Sequence, residues 1–272
     1  MSIDYSLYLA KERLPHLWCP GCGHGIILKN MLISMAEMEV PREKALLACG
    51  IGCSGRAGDY VNIHRFQGTH GRTLAYVTGI KMAHPELKTF CIMGDGDCSA
   101  IGIGHLIHAA RRNVDVTAIV PNNLNYGMTG GQFPPLTPGE SLTSTSRSGK
   151  AEPDMDLCRL AAEAGANYVA RTTVYHVVEM KKRFIEATSN KGFSLVEVIT
   201  PCPTYYGRYN QLGNAHEMIE WIKNKTVPLH KYEEMSVKNQ EQHFWRGKLV
   251  EKHKPDLYTR YWQHERGMDH RA

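Results

Sequence analysis

Five short runs of apolar, largely β-branched or aromatic residues lie at 44–49, 88–93, 114–120, 167–171 and 193–199, and such runs read as strands. Between them, at 25–38, 73–84, 99–112, 154–164 and 173–189, the apolar residues recur at helical spacing. In the first of these, Ile26, Ile27, Met31, Leu32 and Met35 give the helix an apolar side. Strands that alternate with helices predict an α/β fold, a mostly parallel sheet with helices on both faces and ligands at the carboxyl ends of the strands. Two stretches break the rhythm. Residues 121–153 are too long and too rich in Gly, Pro, Ser and Thr to be a mere connector, which points to a binding loop. From Ala215 the chain turns polar and aromatic, with Trp221, Phe244, Trp245, Tyr258 and Trp262 among charges. The expected organisation is a unit at 1–214 and an extension at 215–272, which docks on another subunit or is solvated.

Chemistry gathers at the predicted strand ends. Gly94-Asp95-Gly96-Asp97 follows the run at 88–93 and precedes a helix. Glycine lets the backbone turn and a ligand approach, and a helix N-terminus offers free N–H groups to an anion. Asp95 is then left for a divalent cation, since a bound phosphate needs a bridge and magnesium takes one or two protein oxygens beside phosphate oxygens. A further oxygen donor is expected at a neighbouring strand end, and the run at 114–120 ends in Pro121-Asn122-Asn123-Leu124-Asn125-Tyr126-Gly127. Taken alone, Asp-Gly after a strand is an ordinary turn. Asn123 lies 28 residues beyond Asp95, about one helix and one strand.

Composition narrows the classes. Thirty-two Lys and Arg against 27 Asp and Glu give a formal charge of +5, with the basic residues scattered, which makes no case for nucleic acid. No run of eighteen apolar residues occurs, and Asp4, Lys11, Glu12 and Arg13 interrupt the start, so a soluble, cytoplasmic protein with no membrane contact is expected. Eight cysteines in such a chain suit ligands, catalysts or small core residues better than disulfides. Trp18-Cys19-Pro20-Gly21-Cys22-Gly23-His24 is a C-x-x-C turn able to aim two thiolates at one metal, and by itself fits zinc, iron-sulfur or a redox dithiol. Cys49-Gly50-Ile51-Gly52-Cys53-Ser54 offers two candidates for a third ligand, between which the residues do not choose, and Pro201-Cys202-Pro203 offers a fourth. Cys91 and Cys158 sit in apolar surroundings and read as core residues.

The G-D-G aspartate followed by N-N resembles the thiamine diphosphate enzymes. That resemblance implies magnesium held by Asp95, Asn123 and the carbonyl of Asn125. Together with C-P-G-C-G, G-I-G-C-S-G, Gly68-Thr69-His70-Gly71-Arg72, N-x-N-Y-G-M-T-G-G-Q and P-C-P, in order from about residue 18 to 213, the chain resembles the β subunits of the 2-oxoacid:ferredoxin oxidoreductases, most of all the 2-oxoglutarate members. The resemblance implies a thiamine-diphosphate-binding fold and a 4Fe-4S cluster on Cys19, Cys22, Cys53 and Cys202, choosing Cys53 over Cys49. It places Ile51, Gly52, Cys53, Ser54, Gly96, Asp97, Gly127 and Met128 around the cofactor, with Thr129 and Gln132 beside them and His70 as the candidate catalytic residue. The core alternative for His70 is packing in its loop, and for Asp97 a helix cap. The implied activity is oxidative decarboxylation of 2-oxoglutarate with coenzyme A to succinyl-CoA, with electrons leaving through the cluster to ferredoxin. Pyruvate is the alternative substrate, and a non-catalytic four-cysteine metal or electron-transfer protein the alternative class. Some relatives place a lysine where this chain has Gly130, which leaves the anchor of the substrate carboxylate unassigned. No glutamate for the aminopyrimidine is found, so a partner α subunit is implied, in a heterodimer or a dimer of heterodimers.

Overall fold

The computed structural model describes residues 4–269; residues 1–3 of the first expected unit and 270–272 of the second lie outside them. Among the described residues one sheet of eight strands is formed: β1 (Ala45–Cys49), β2 (His64–Gln67), β3 (Lys88–Ile92), β4 (Val116–Asn122), β5 (Tyr168–Thr173), β6 (Phe193–Ile199), β7 (Thr226–Pro228) and β8 (Phe244–Glu251). Their order is β2-β1-β3-β4-β6-β5-β8-β7. Neighbours from β2 through β5 are parallel, β8 runs antiparallel to β5, and β7 is parallel to β8. The expected mostly parallel sheet is therefore observed.

Burial explains it. β1, β4, β5 and β6 are buried along their whole length, as strands covered on both faces must be. Alternate side chains feed two separate cores: Leu47, Phe90, Ile92, Ile119, Val196 and Val198 face one, while Ala48, Cys91, Ala118, Val120, Phe193 and Leu195 face the other. The helices α1 (His24–Glu37) and α5 (Val177–Ser189) close the first core. The second is closed by α2 (Thr73–Ala83), α3 (Ile103–Arg112) and α4 (Leu157–Glu163). Cys91 and Cys158 are wholly buried in the second core.

The sequence pattern missed β2, whose His64, Arg65 and Gln67 are exposed on the sheet edge and carry no apolar signal. It also missed the start of α3. Residues Asp97–Ile101 form a single π-helical turn before the α-helix begins, a distortion found where a site reshapes a helix start. The stretch beyond Ala215 folds as α6 (Ala215–Asn224), β7, α7 (Leu229–Glu233), α8 (Val237–Gln240), β8 and α9 (Leu257–Asp269). Its β8 joins the sheet beside β5, and Trp245 is fully buried in the second core.

After β1 the chain turns through a 3-10 segment at Ser54–Tyr60 to β2, on one side, whereas after β3 it passes through α3 to β4, on the other. The connections diverge between β1 and β3, and such a divergence opens a crevice at the carboxyl ends of the strands.

Candidate active site

The crevice is walled by the loop after β1, the turn after β3 and the turn after β4. Asp95 is buried and already accepts two backbone N–H groups, from Gly96 at 2.7 Å and from Asn125 at 3.1 Å. Burial lifts its carboxyl to about 7, the hydrogen bonds only partly opposing this. The side-chain oxygen of Asn123 faces only acceptors, Asp95 Oδ2 at 3.1 Å and the Asn125 carbonyl at 2.9 Å. Oxygens crowded together in this way repel unless the amide is turned over or a cation sits among them. An octahedron of about 2.1 Å radius has cis edges of about 3 Å, so the donor set fits magnesium. Both side-chain polar atoms of Asn125 are buried without a hydrogen bond, so the crevice also fits the oxygens of a diphosphate.

The glycines of Gly94-Asp95-Gly96-Asp97 serve close approach. Neither has positive φ. A Cβ on Gly96 would lie 2.0 Å from the ring of Tyr126, and one on Gly94 would lie 3.2 Å from Ser54 Oγ. Gly96 thus lets the turn after β4 lean onto the turn after β3. Gly127 lies in the middle: its missing Cβ would be 3.3 Å from Asn123 Nδ2, 3.4 Å from Cys53 Sγ and 3.6 Å from Asn125 Oδ1. Met128, next along, is exposed and lines a cavity of about 530 Å³ with Ile51, Gly52, Arg56 and Gln67. Thr129 and Gln132 bond each other, Thr129 Oγ1 donating to Gln132 Oε1 at 2.7 Å.

Asp97 does not cap a helix. Its carboxylate accepts from Gly71 N at 2.6 Å and Ile51 N at 3.3 Å, and its Oδ1 stands 2.6 Å from His70 Nδ1. Three loops are tied by one buried acid, and the side chain is committed to the protein. Burial still raises its pKa, against the lowering by Gly71 and His70. His70 Nδ1 lies beside this carboxylate without a hydrogen bond of good geometry, and its ring stands 6.3 Å from that of Tyr126. Of the amides in the loop after β1, that of Ile51 is already used by Asp97, whereas Gly52, at φ +110°, has open space around it.

The four cysteines converge from three loops. Cys22 is raised to about 12 and Cys53 to about 11, burial first; Cys202 and Cys19 raise both further and Cys53 also raises Cys22, which places the thiols within electrostatic reach of one another. Glycines again allow the approach: a Cβ on Gly23 would lie 2.1 Å from Thr200 Oγ1, and one on Gly21 would lie 3.4 Å from Pro203. The Cys19–Cys22 loop therefore sits on the strap that carries Cys202. Cys49, its rival for the third place, is instead buried in the first core. Among the described residues no three His, Cys, Asp or Glu side chains are grouped to hold a single metal ion. A cluster of several irons spreads its thiolate ligands wider than one ion does.

Sequence reasoning missed His24, although it lies in the same motif. It is buried, with Nδ1 2.9 Å from Cys22 Sγ and Nε2 3.0 Å from Ser54 Oγ, and burial lowers it to about 4. Trp18 stacks on its ring at 5.8 Å and donates Nε1–H to the Cys53 carbonyl at 2.7 Å. The first cysteine loop and the loop after β1 are thus one unit. The only available signal was an aromatic and a histidine flanking C-x-x-C.

A fold of this class, with an acid and an asparagine turn meeting at adjacent strand ends, defines a thiamine diphosphate enzyme, and residues 50–198 match the family of the thiamine pyrophosphate enzyme C-terminal TPP binding domain. The chain is 40% identical over 250 residues to 2-oxoglutarate synthase subunit KorB of Methanocaldococcus jannaschii, covering 92% of this chain and 93% of that one. With the protein of the same name from Archaeoglobus fulgidus it shares 49% over 205 residues, 75% of this chain and 76% of the relative. The solved 2-oxoglutarate:ferredoxin oxidoreductase from Magnetococcus marinus, with 2-oxoglutarate, coenzyme A and succinyl-CoA bound, superposes with a TM-score of 0.87 at 27% identity, over 98% of this chain and 91% of that one. The chain belongs to the β subunits of the 2-oxoacid:ferredoxin oxidoreductases. No described helix is long and apolar enough to cross a membrane.

Proposed function

We propose that this chain is the thiamine-diphosphate- and cluster-carrying β subunit of a cytoplasmic 2-oxoglutarate:ferredoxin oxidoreductase, which forms succinyl-CoA and carbon dioxide. The observation that carries the reading is the meeting at Gly127, where Cys53 Sγ and the Asn123 and Asn125 side chains all lie within 3.6 Å of where a Cβ would stand. Diphosphate chemistry and cysteine ligation meet there. Thiamine diphosphate, when bound, supplies the carbanion and the electron sink, and a cluster carries electrons away singly.

The chain's own residues bind, orient and wall off. Asp95, Asn123 and the Asn125 carbonyl offer three oxygens to magnesium, and Cys19, Cys22, Cys53 and Cys202 offer four thiolates. Asp97 fixes the loops of Ile51 and Gly71, and His70, beside it, bonds substrate or cofactor. Gly130 stands at φ +114°, where an added Cβ would meet Gln132 Nε2 at 3.8 Å, a conformation a side chain rarely adopts, so residue 130 supplies no anchor for the substrate's distal carboxylate. The α subunit supplies the aminopyrimidine glutamate, and ferredoxin takes the electrons.

The test is iron, acid-labile sulfide and thiamine diphosphate on the anaerobically purified complex, with Cys53→Ser and Cys49→Ser alongside. About four irons and one thiamine per β chain are expected, with iron lost in Cys53→Ser and retained in Cys49→Ser. Zinc without thiamine, or iron lost equally from both variants, would sink the assignment.

A further inference from the structure

Behind the turn after β4 lies a buried polar chain that the site as described does not use. Glu197 on β6 and Arg171 on β5 form an ion pair at 2.6 Å, their side chains 1% and 8% exposed. Buried pairs of this kind add little net stability over apolar residues of the same size, so their place beside the cofactor turn calls for another reason. Glu197 is shared. Its Oε2 accepts from Arg171 Nε, while its Oε1 accepts from Asn122 Nδ2 at 2.7 Å. With its nitrogen so committed, the Asn122 amide presents its oxygen to Leu124 N–H at 3.1 Å.

Leu124 is the unusual residue. It has φ +65°, although it is neither Gly nor Asn, a strained conformation that persists only where neighbours impose it. The neighbours here are Asn122 on its N–H and Thr137 Oγ1, which donates to its carbonyl at 2.7 Å. This left-handed residue stands between Asn123 and Asn125, and it brings the Asn123 side chain to 2.9 Å from the Asn125 carbonyl and Asn125 N–H to 3.1 Å from Asp95. At the far end, Arg171 Nη2 donates to Asp156 at 2.8 Å, and Asp156 also accepts from Trp245 Nε1 on β8 at 3.0 Å. The indole covers the guanidinium at 4.2 Å.

We infer that Glu197 is a positioning residue for the magnesium-binding turn, acting through Asn122 on the left-handed Leu124, with Arg171, Asp156 and the β8 residue Trp245 holding it in place. The inference rests on the magnesium reading of Asp95, Asn123 and Asn125. It also gives the stretch beyond Ala215 a role inside this chain, since β8 anchors the relay.

The experiment is calorimetric titration of thiamine diphosphate into the assembled, cofactor-stripped complex at a series of magnesium concentrations. Glu197→Gln keeps the shape and breaks the charge; Asn122→Ala removes the relay's last link and leaves the ion pair intact. Both variants are expected to need about tenfold or more magnesium for half-saturation, as is usual when a partner of a metal ligand is lost, and to regain full binding at high magnesium with unchanged iron content. A folded variant with the wild-type magnesium midpoint, or a binding loss that magnesium does not restore, overturns the inference. Should Glu197→Gln fail to fold, Asn122→Ala decides. Cofactor binding by the wild type that ignores divalent cations would instead overturn the magnesium reading beneath it.

Discussion

Gly96→Ala is the most direct probe of how the two cofactor turns meet. The new Cβ would sit 2.0 Å from Cε1 and 2.2 Å from Cζ of Tyr126, where carbon atoms in contact stand about 3.5–4 Å apart. The ring must therefore retreat by roughly 1.5 Å. It is not free to do so alone, because Tyr126 N donates to Gln132 O at 2.9 Å and its carbonyl accepts from Gly131 at 2.8 Å. Retreat drags Asn123 and Asn125 with it and strains the 3.1 Å bond from Asn125 N to Asp95. Overpacking of this kind costs about 1–3 kcal/mol, which for a chain of this size lowers the melting temperature by roughly 2–4 °C per kcal/mol. The assay is thermal melting together with the magnesium midpoint for cofactor binding, in Gly96→Ala and in Gly96→Ala/Tyr126→Leu. The smaller side chain should restore much of both losses, because the two sites are in contact and their effects are not additive. A Gly96→Ala protein that melts and binds as the wild type refutes the reasoning, as does a double variant no better than the single one.

Two further predictions concern charge and positioning. Burial lifts the Asp95 carboxyl from 3.8 to about 7, so without a cation the folded chain keeps a proton that the unfolded chain loses. Stability of the metal-free protein should then fall as pH rises from about 4 to about 7, by at most about 4 kcal/mol. Melting curves of metal-free wild type and Asp95→Asn between pH 5 and 8 check the sign, since the wild type should lose ground to the variant with rising pH and regain it on adding magnesium; a constant gap would contradict it. His24→Phe keeps the stack on Trp18 and loses both hydrogen bonds of the ring, leaving Ser54 Oγ buried without its partner. The expected loss is about 1–3 kcal/mol, with iron released faster on dilution of the complex, and a protein that melts and holds iron like the wild type would show that His24 ties nothing together.

The layered sheet and the polar character of its strand ends are legible in the chain. Runs such as Phe193–Ile199 are buried on both faces, so their apolar character is continuous and visible without structure, and Asp95 and Asn123 are visible as oxygen donors at neighbouring strand ends, although an ordinary turn reads the same until the family resemblance is added. What escaped the sequence depends on contacts between segments far apart in the chain. Nothing near Gly96 says that its hydrogen faces the ring of Tyr126, and nothing near Asp97 says that it binds Gly71 and Ile51 instead of capping a helix. The edge strand β2 carries too few apolar residues to be seen, and β8 pairs with β5 where its Trp245 meets Asp156 and Arg171. Between Cys49 and Cys53 the residues alone did not choose and the family resemblance favoured Cys53; in the fold Cys49 is buried in the first core, whereas Cys53 is only partly buried. Composition fixes which groups a chain can offer, whereas their mutual distances arise from packing.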